Sequence, residues 1–187
     1  MSFCESSVLR ALRESRSNRR VILVALQYPT PDPLPALVLD AMRQGPGDWL
    51  WLLRFHPTSP DKLRKEIVSK LRHLGILNWE ASEVCDAPLP LLLQSVDHVV
   101  TRYSSTGMEA ALYGIGTTFF DSMASEYFPE LTNIGIARTA TSAGQILDSI
   151  ADERSAPIRQ VAIQHSGVDS DPGLLKEATR EILSKLK

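Results

Sequence analysis

Three consecutive hydroxyl residues, Ser104-Ser105-Thr106, stand where a short apolar run meets a segment with apolar residues at helical spacing. The spacing of Met108, Ala111 and Leu112 predicts a helix that ends at Gly114, and Ser104 or Ser105 is a suitable N-cap. The amino end of a helix presents backbone N–H groups and favours negative charge. The cluster therefore predicts a site for an anion such as phosphate. The alternative is that the hydroxyls only cap the helix.

Apolar runs and amphipathic segments alternate along the chain, and this alternation predicts strands separated by helices. The predicted helices include one that starts with Ser59 as N-cap and Pro60 at its first helical position, one capped by Ser142, and a last one starting at Asp171-Pro172. The predicted strands are Arg20–Leu26, Trp49–Phe55, Ala81–Val84, the run after Asp97, Thr117–Asp121 and Ile134–Ala137.

This order predicts an α/β fold: a Rossmann-like, doubly wound parallel sheet of about six strands, with strand order 3-2-1-4-5-6 and helices on both faces. Residues 1–19 are predicted to be a polar lead-in that could form a short helix, and residues 20–187 a single domain. No internal repeat or interdomain linker interrupts the pattern.

The predicted topology brings distant polar residues together. Ligands of doubly wound sheets bind beyond the carboxyl ends of the strands, where the strand order reverses. The loop at Gln27, the His56-Pro57 pair and the Ser104–Thr106 turn all follow strands near that point. We therefore expect them to line one crevice between strands one and four.

Composition excludes several classes of function. A net charge of −2 gives no basic footprint for nucleic acid, and no apolar segment approaches the roughly 20 residues of a membrane span. Cys4 and Cys85 have no paired spacing, so neither a disulfide framework nor a zinc site is expected. The sequence thus predicts a cytoplasmic protein, and peripheral association with a membrane stays open.

Familiar cofactor and nucleophile motifs are missing from the sequence. Gln27-Tyr28-Pro29 occupies the first strand-to-helix turn, where a dinucleotide-binding fold would have glycines. The chain contains neither a Walker-type phosphate loop nor the G-x-S-x-G hydrolase turn. We expect no cofactor and no bound metal.

Two short motifs nevertheless resemble a known family. Arg54-Phe55-His56-Pro57 resembles the His-Pro motif of bacterial sialyl-, polysialyl- and Kdo-transferases of capsule synthesis, and a similar element occurs in CDP-glycerol-using polymerases. Ser104-Ser105-Thr106 resembles their Ser-Ser motif. The likeness covers roughly residues 20 to 150, and it points to the C-terminal, nucleotide-sugar-binding domain of a glycosyltransferase with two Rossmann-like domains, the GT-B architecture.

The resemblance assigns roles to the polar residues. His56 and the hydroxyls of Ser104, Ser105 and Thr106 would contact the donor phosphate, and Glu109 would bind a ribose hydroxyl. His56 could also give a proton to the leaving group, which makes it the candidate catalytic residue. Donors fixed at a helix N-terminus stabilise the charge that develops on a leaving phosphate without a metal. Gln27, Pro57 and Arg102 are further candidate binding residues, although a loop glutamine and a strand-end arginine are more often structural.

The resemblance favours a CMP-linked donor over UDP or CDP. It also implies an acceptor-binding N-terminal domain, on a separate chain or missing from this sequence, without which the chain is expected to be inactive. Two alternatives stay open: a non-catalytic Rossmann-like interaction module, and a relative of the epimerases or hydrolases that act on nucleotide sugars.

Overall fold

One parallel sheet runs through the centre of the computed structural model, which describes residues 20–81, 87–133 and 135–152. Its six strands within these ranges lie in the order β3-β2-β1-β4-β5-β6, and every pair of neighbours is parallel. The predicted doubly wound α/β fold is therefore confirmed. The strands are β1 (Val21–Ala25), β2 (Leu50–Arg54), β3 (Trp79–Glu80), β4 (His98–Thr101), β5 (Gly116–Phe119) and β6 (Ala137–Thr139).

Helices cover both faces of the sheet. They are α1 (Ala36–Gln44), α2 (Asp61–His73), α3 (Leu89–Leu93), α4 (Thr106–Leu112), α5 (Ala124–Tyr127), α6 (Pro129–Asn133) and α7 (Ala143–Ala151). Along β1, Ile22 and Val24 pack in a core with α1, α2 and α7, whereas Val21 and Leu23 pack with α3 and α4. Because successive side chains of a strand point to opposite faces, a continuous apolar run is what such a two-sided core requires.

Both edge strands differ from the sequence prediction. The third strand is Trp79–Glu80 rather than Ala81–Val84; Ala81 follows it, and residues 82–84 lie outside the described residues. The sixth strand is Ala137–Thr139 rather than Ile134–Ala137. Gly135, with a φ of 76°, stands in the left-handed region before it, where a strand cannot continue.

The helix starts were predicted with mixed success. Ser142 caps α7 as predicted, because its hydroxyl accepts the Gln145 N–H at 3.3 Å. Ser59 does not cap α2: Pro60 holds the N-cap position, with no side-chain cap, and the helix begins at Asp61. The segment 122–132 contains α5 and most of α6.

Several predictions concern residues outside the described ranges. The N-terminal lead-in, both cysteines, and the helix from Asp171-Pro172 all lie there.

Candidate functional site

A cleft of about 610 Å³ opens at the carboxyl edge of the sheet, at the point where the strand order reverses between β1 and β4. The Thr101 hydroxyl donates to the Ala25 carbonyl at 2.8 Å and joins the ends of these two strands. The cleft is lined by the last residues of β1 and β2 and by residues that follow β1, β2 and β4, together with one residue of α3 and two of α4. They are Ala25, Leu26, Gln27, Tyr28, Pro29, Thr30, Arg54, Phe55, His56, Pro57, Leu89, Tyr103, Ser104, Ser105, Thr106 and Glu109.

The hydroxyl cluster forms the turn that leads into α4. The Ser104 hydroxyl oxygen accepts the Thr106 N–H at 3.2 Å, and the Ser104 hydroxyl donates to Thr106 Oγ1 at 3.1 Å. Of the two predicted N-caps, Ser104 therefore makes the local bond, while Ser105 occupies the N-cap position with no side-chain cap. The Gly107 N–H is also engaged, by the Ser104 carbonyl at 3.0 Å. These bonds use the Thr106 and Gly107 N–H groups within the turn itself. The hydroxyl side chains therefore contribute more to the cleft lining, relative to the backbone N–H groups, than the sequence predicts.

His56 lies directly after β2, exposed in the cleft wall. Its Nδ1 lies 2.8 Å from the Thr58 hydroxyl oxygen and accepts the Thr58 backbone N–H at 3.3 Å. These contacts orient the ring from the side of its own loop. They leave Nε2 as the nitrogen that can reach a ligand in the cleft.

Gln27 links two walls of the cleft. Its side-chain oxygen Oε1 accepts the Tyr103 N–H at 3.3 Å, so the loop after β1 is tied to the loop after β4. The Tyr103 ring in turn stacks on Tyr127 of α5, with ring centroids 5.7 Å apart. Gln27 therefore has a structural bond in addition to its place in the lining.

Glu109 faces the same cleft from the first turn of α4 and is half-buried. Burial raises the pKa of its carboxyl group, and the Arg54 guanidinium partly opposes this shift. Arg54 also donates through Nη1 to the Ala87 carbonyl at 2.7 Å, so the cation is held in place at the end of β2.

Arg102 is placed apart from the cleft lining. Its guanidinium forms an ion pair with Asp121, with Nη1 3.0 Å from Oδ2, and donates through Nη2 to the Asp32 carbonyl at 2.8 Å. It also lies over the Phe120 ring. These contacts hold the loop after β1 against the end of β5, as a structural arginine would.

Sequence reasoning assigned no role to some residues of the lining. Arg54 is the clearest case. It is a charged residue at the end of an otherwise buried strand, and this position could have identified it as a candidate site residue. Tyr28, Thr30 and Tyr103 also line the cleft, and their spacing gave no such signal.

Two negative findings apply to the described residues alone. No group of three or more histidine, cysteine, aspartate or glutamate side chains is arranged there to hold a metal ion. No helix in those ranges has the length and apolar character needed to cross a bilayer.

Comparison with known proteins gives a likeness of fold. No protein-family model and no curated protein sequence matches the chain. Among solved structures, HepE from Anabaena in complex with UDP-glucose aligns with a TM-score of 0.61 at 16% identity, over 97% of this chain and 54% of HepE. The wall teichoic acid polymerase TagF aligns with a TM-score of 0.56 at 19% identity, over 97% of this chain and 48% of TagF.

A third structure matches at the level of a single domain. The C-terminal domain of the group 1 glycosyltransferase LpcC from Francisella tularensis aligns with a TM-score of 0.53 at 15% identity, over 84% of this chain and 88% of that domain. The chain thus spans about half the length of HepE and TagF but nearly all of this domain. At these identities the comparisons establish a shared fold: the chain has the Rossmann-like fold found in glycosyltransferases of GT-B architecture.

Proposed function

We propose that this chain is the nucleotide-sugar donor-binding half of a bacterial glycosyltransferase. The observation that carries the proposal is the meeting of His56 with the Ser104–Thr106 turn around one cleft at the reversal point of the sheet. About fifty residues separate these motifs in sequence, so only the fold brings them together. A cleft of about 610 Å³ has the size of a small-molecule site.

The lining offers donors for a phosphate group. Thr106 Oγ1 accepts the Ser104 hydroxyl, so the Thr106 hydrogen can be donated to a bound anion. His56 and Ser105 add exposed polar groups, and Arg54 adds positive charge. In the proposed reaction these groups stabilise the charge on the departing phosphate with no metal, and His56 supplies a proton to it. Glu109 binds a ribose hydroxyl.

The nature of the nucleotide is a second part of the proposal. HepE was solved with UDP-glucose, which favours a nucleoside diphosphate, whereas the sequence motifs favour CMP. We propose that the donor carries a pyrimidine nucleotide. The relative affinities of the chain for CMP and UDP then decide between these two nucleotides. Transfer itself requires an acceptor-binding domain, which the greater length of HepE and TagF supports.

Isothermal titration with CMP, CDP and UDP tests the proposal. We expect saturable binding that weakens about tenfold or more in both His56→Ala and Ser104→Ala. His56→Ala loses a hydrogen bond to the charged phosphate, and Ser104→Ala loses the two bonds that hold the Thr106 hydroxyl toward it. The matched controls are His73→Ala and Ser69→Ala, exposed residues of α2 outside the lining, which should bind like the wild type. Titrations in EDTA and in Mg²⁺ should agree.

The absence of saturable binding by the wild-type chain would favour a non-catalytic interaction module. Equal losses in the α2 controls would place the ligand elsewhere on the molecule.

A further inference from the structure

Thr58 contacts the candidate catalytic histidine, His56, and these contacts bear on which ring nitrogen carries the hydrogen. A backbone N–H can only donate, so the Thr58 amide, 3.3 Å from His56 Nδ1, requires a lone pair on that nitrogen. A neutral imidazole with a lone pair on Nδ1 carries its hydrogen on Nε2. The Thr58 hydroxyl, 2.8 Å away, can donate to the same nitrogen.

The hydroxyl also suits the protonated ring. When His56 is a cation, Nδ1 carries a hydrogen that cannot face the Thr58 amide favourably, but the Thr58 hydroxyl oxygen can turn to accept it. One side chain therefore supports the ring in both protonation states that a proton donor passes through. A valine in this place has the same shape and lacks this ability.

From these two contacts we infer that Thr58 is a positioning residue: it holds His56 as the Nε2–H tautomer, so that Nε2 presents its hydrogen to the phosphate of a bound nucleotide. The role of the phosphate rests on the proposed function, whereas the tautomer is a property of the unliganded chain. His56 contacts the ligand, and Thr58 acts through it.

Nitrogen-15 NMR of the unliganded protein tests the tautomer directly. In a spectrum that correlates ring nitrogens with ring carbon-bound hydrogens, we expect His56 Nδ1 to have the shift of an unprotonated nitrogen and Nε2 that of a protonated one. The Nδ1–H tautomer, or equal averaging of both, would overturn the inference whether or not a nucleotide binds.

Substitutions test the positioning role. Thr58→Val should weaken nucleotide binding about fivefold, the effect of one lost hydrogen bond, while Thr58→Ser should bind like the wild type. The melting temperature should not change, since Thr58 is exposed. His56→Gln, whose amide N–H₂ can take the place of Nε2–H, should retain more affinity than His56→Asn. Equal affinity in Thr58→Val and wild type would overturn the positioning role.

These outcomes separate the two proposals. If the wild type binds none of CMP, CDP and UDP but His56 shows the Nε2–H signature, the proposed function fails and the assignment of the tautomer stands. If nucleotides bind and His56 carries its hydrogen on Nδ1, the proposed function stands and the assignment of the tautomer fails.

Discussion

Glu109 is the residue whose environment makes the sharpest prediction about ligand binding. Its carboxyl pKa is raised by burial, against the opposing effect of Arg54, so it takes up a proton at a higher pH than an exposed glutamate. A carboxylate accepts a ribose O–H bond more strongly than a carboxylic acid does. We therefore expect nucleotide affinity to fall on acidification, starting above the usual carboxylate range, and this component of the fall to be missing in Glu109→Gln.

Paired titrations with UDP and 2′-deoxy-UDP measure the ribose contact itself. If Glu109 binds the 2′-hydroxyl, the wild type should prefer UDP by about 1–2 kcal/mol, and Glu109→Gln should lose most of that preference. The 3′-deoxy nucleotide serves as the matched comparison. A preference unchanged in the variant for both analogues would show that Glu109 does not touch the ribose.

At the scale of residues, the sequence predicts which side chains meet but not which partners they have. The position after a buried strand was enough to bring Gln27, His56 and Ser104 to one edge of the sheet. The bond from Tyr103 to Gln27 spans 76 positions, and the ion pair of Arg102 with Asp121 spans 19. Such pairings depend on loop conformation, about which apolar periodicity carries no information.

At the scale of elements, Gly107 determines how closely α4 approaches the sheet. A Cβ at this position would lie 2.8 Å from Phe119 Cζ and 3.2 Å from Thr117 Cγ2. Phe119 is fully buried and stacks on Phe128, so it has little room to move. We expect Gly107→Ala to lower the free energy of unfolding by roughly 1–3 kcal/mol, and to weaken nucleotide binding as the Ser104–Thr106 turn shifts.

Gly144 provides the matched control. It is the second residue of α7, as Gly107 is of α4, and a Cβ there would meet nothing within 4 Å. Gly144→Ala should raise the free energy of unfolding by about 0.4–1 kcal/mol, because it only reduces the freedom of the unfolded chain. Denaturant melts of both variants provide the measurement. Equal effects would mean that α4 does not pack as tightly as the contacts indicate.

The accuracy of the strand predictions follows position in the sheet. The four central strands, β2, β1, β4 and β5, are almost wholly buried, and their runs of apolar and β-branched residues were recognised. The edge strands β3 and β6 contain Glu80 and the exposed Arg138 and Thr139, so half-solvated residues replace the apolar run. A strand that is buried on both faces can be recognised in the sequence by its residue types. Edge strands are not buried in this way, so their sequences are harder to recognise.

At the scale of the whole molecule, the two ends of the sheet differ in how their polar groups are arranged. The carboxyl end is open and lined by polar groups that are mostly partly exposed, whereas the amino end contains a closed polar chain. There His98 of β4 hydrogen-bonds Thr118 of β5, with Nε2 2.7 Å from Oγ1, and the Thr118 hydroxyl donates to Ser149 of α7 at 2.7 Å. All three residues are buried, so this chain joins two strands and a helix inside the core.

That buried chain makes the stability of the molecule depend on pH. Burial, followed by the charges of Arg20 and Arg138, lowers the pKa of His98 to about 3. In the unfolded chain the histidine takes up a proton below about pH 6.5, so acid favours unfolding. This contribution is complete above that pH and is lost as the pH falls toward 3. Lowering the pH from 7.5 to 5 should therefore cost about 2 kcal/mol of unfolding free energy through His98 alone.

His98→Gln separates this effect from the other titrating groups. Glutamine keeps an N–H donor for Thr118 but takes up no proton, so the variant should be less stable than the wild type at pH 7.5 and lose less stability on acidification. Urea melts of both proteins at pH 7.5 and pH 5 measure how much unfolding free energy each protein loses on acidification. The variant His73→Gln, at an exposed position of α2, serves as the control for replacing a histidine outside the core. Parallel pH dependences for wild type and His98→Gln would show that His98 takes up its proton without leaving the folded core.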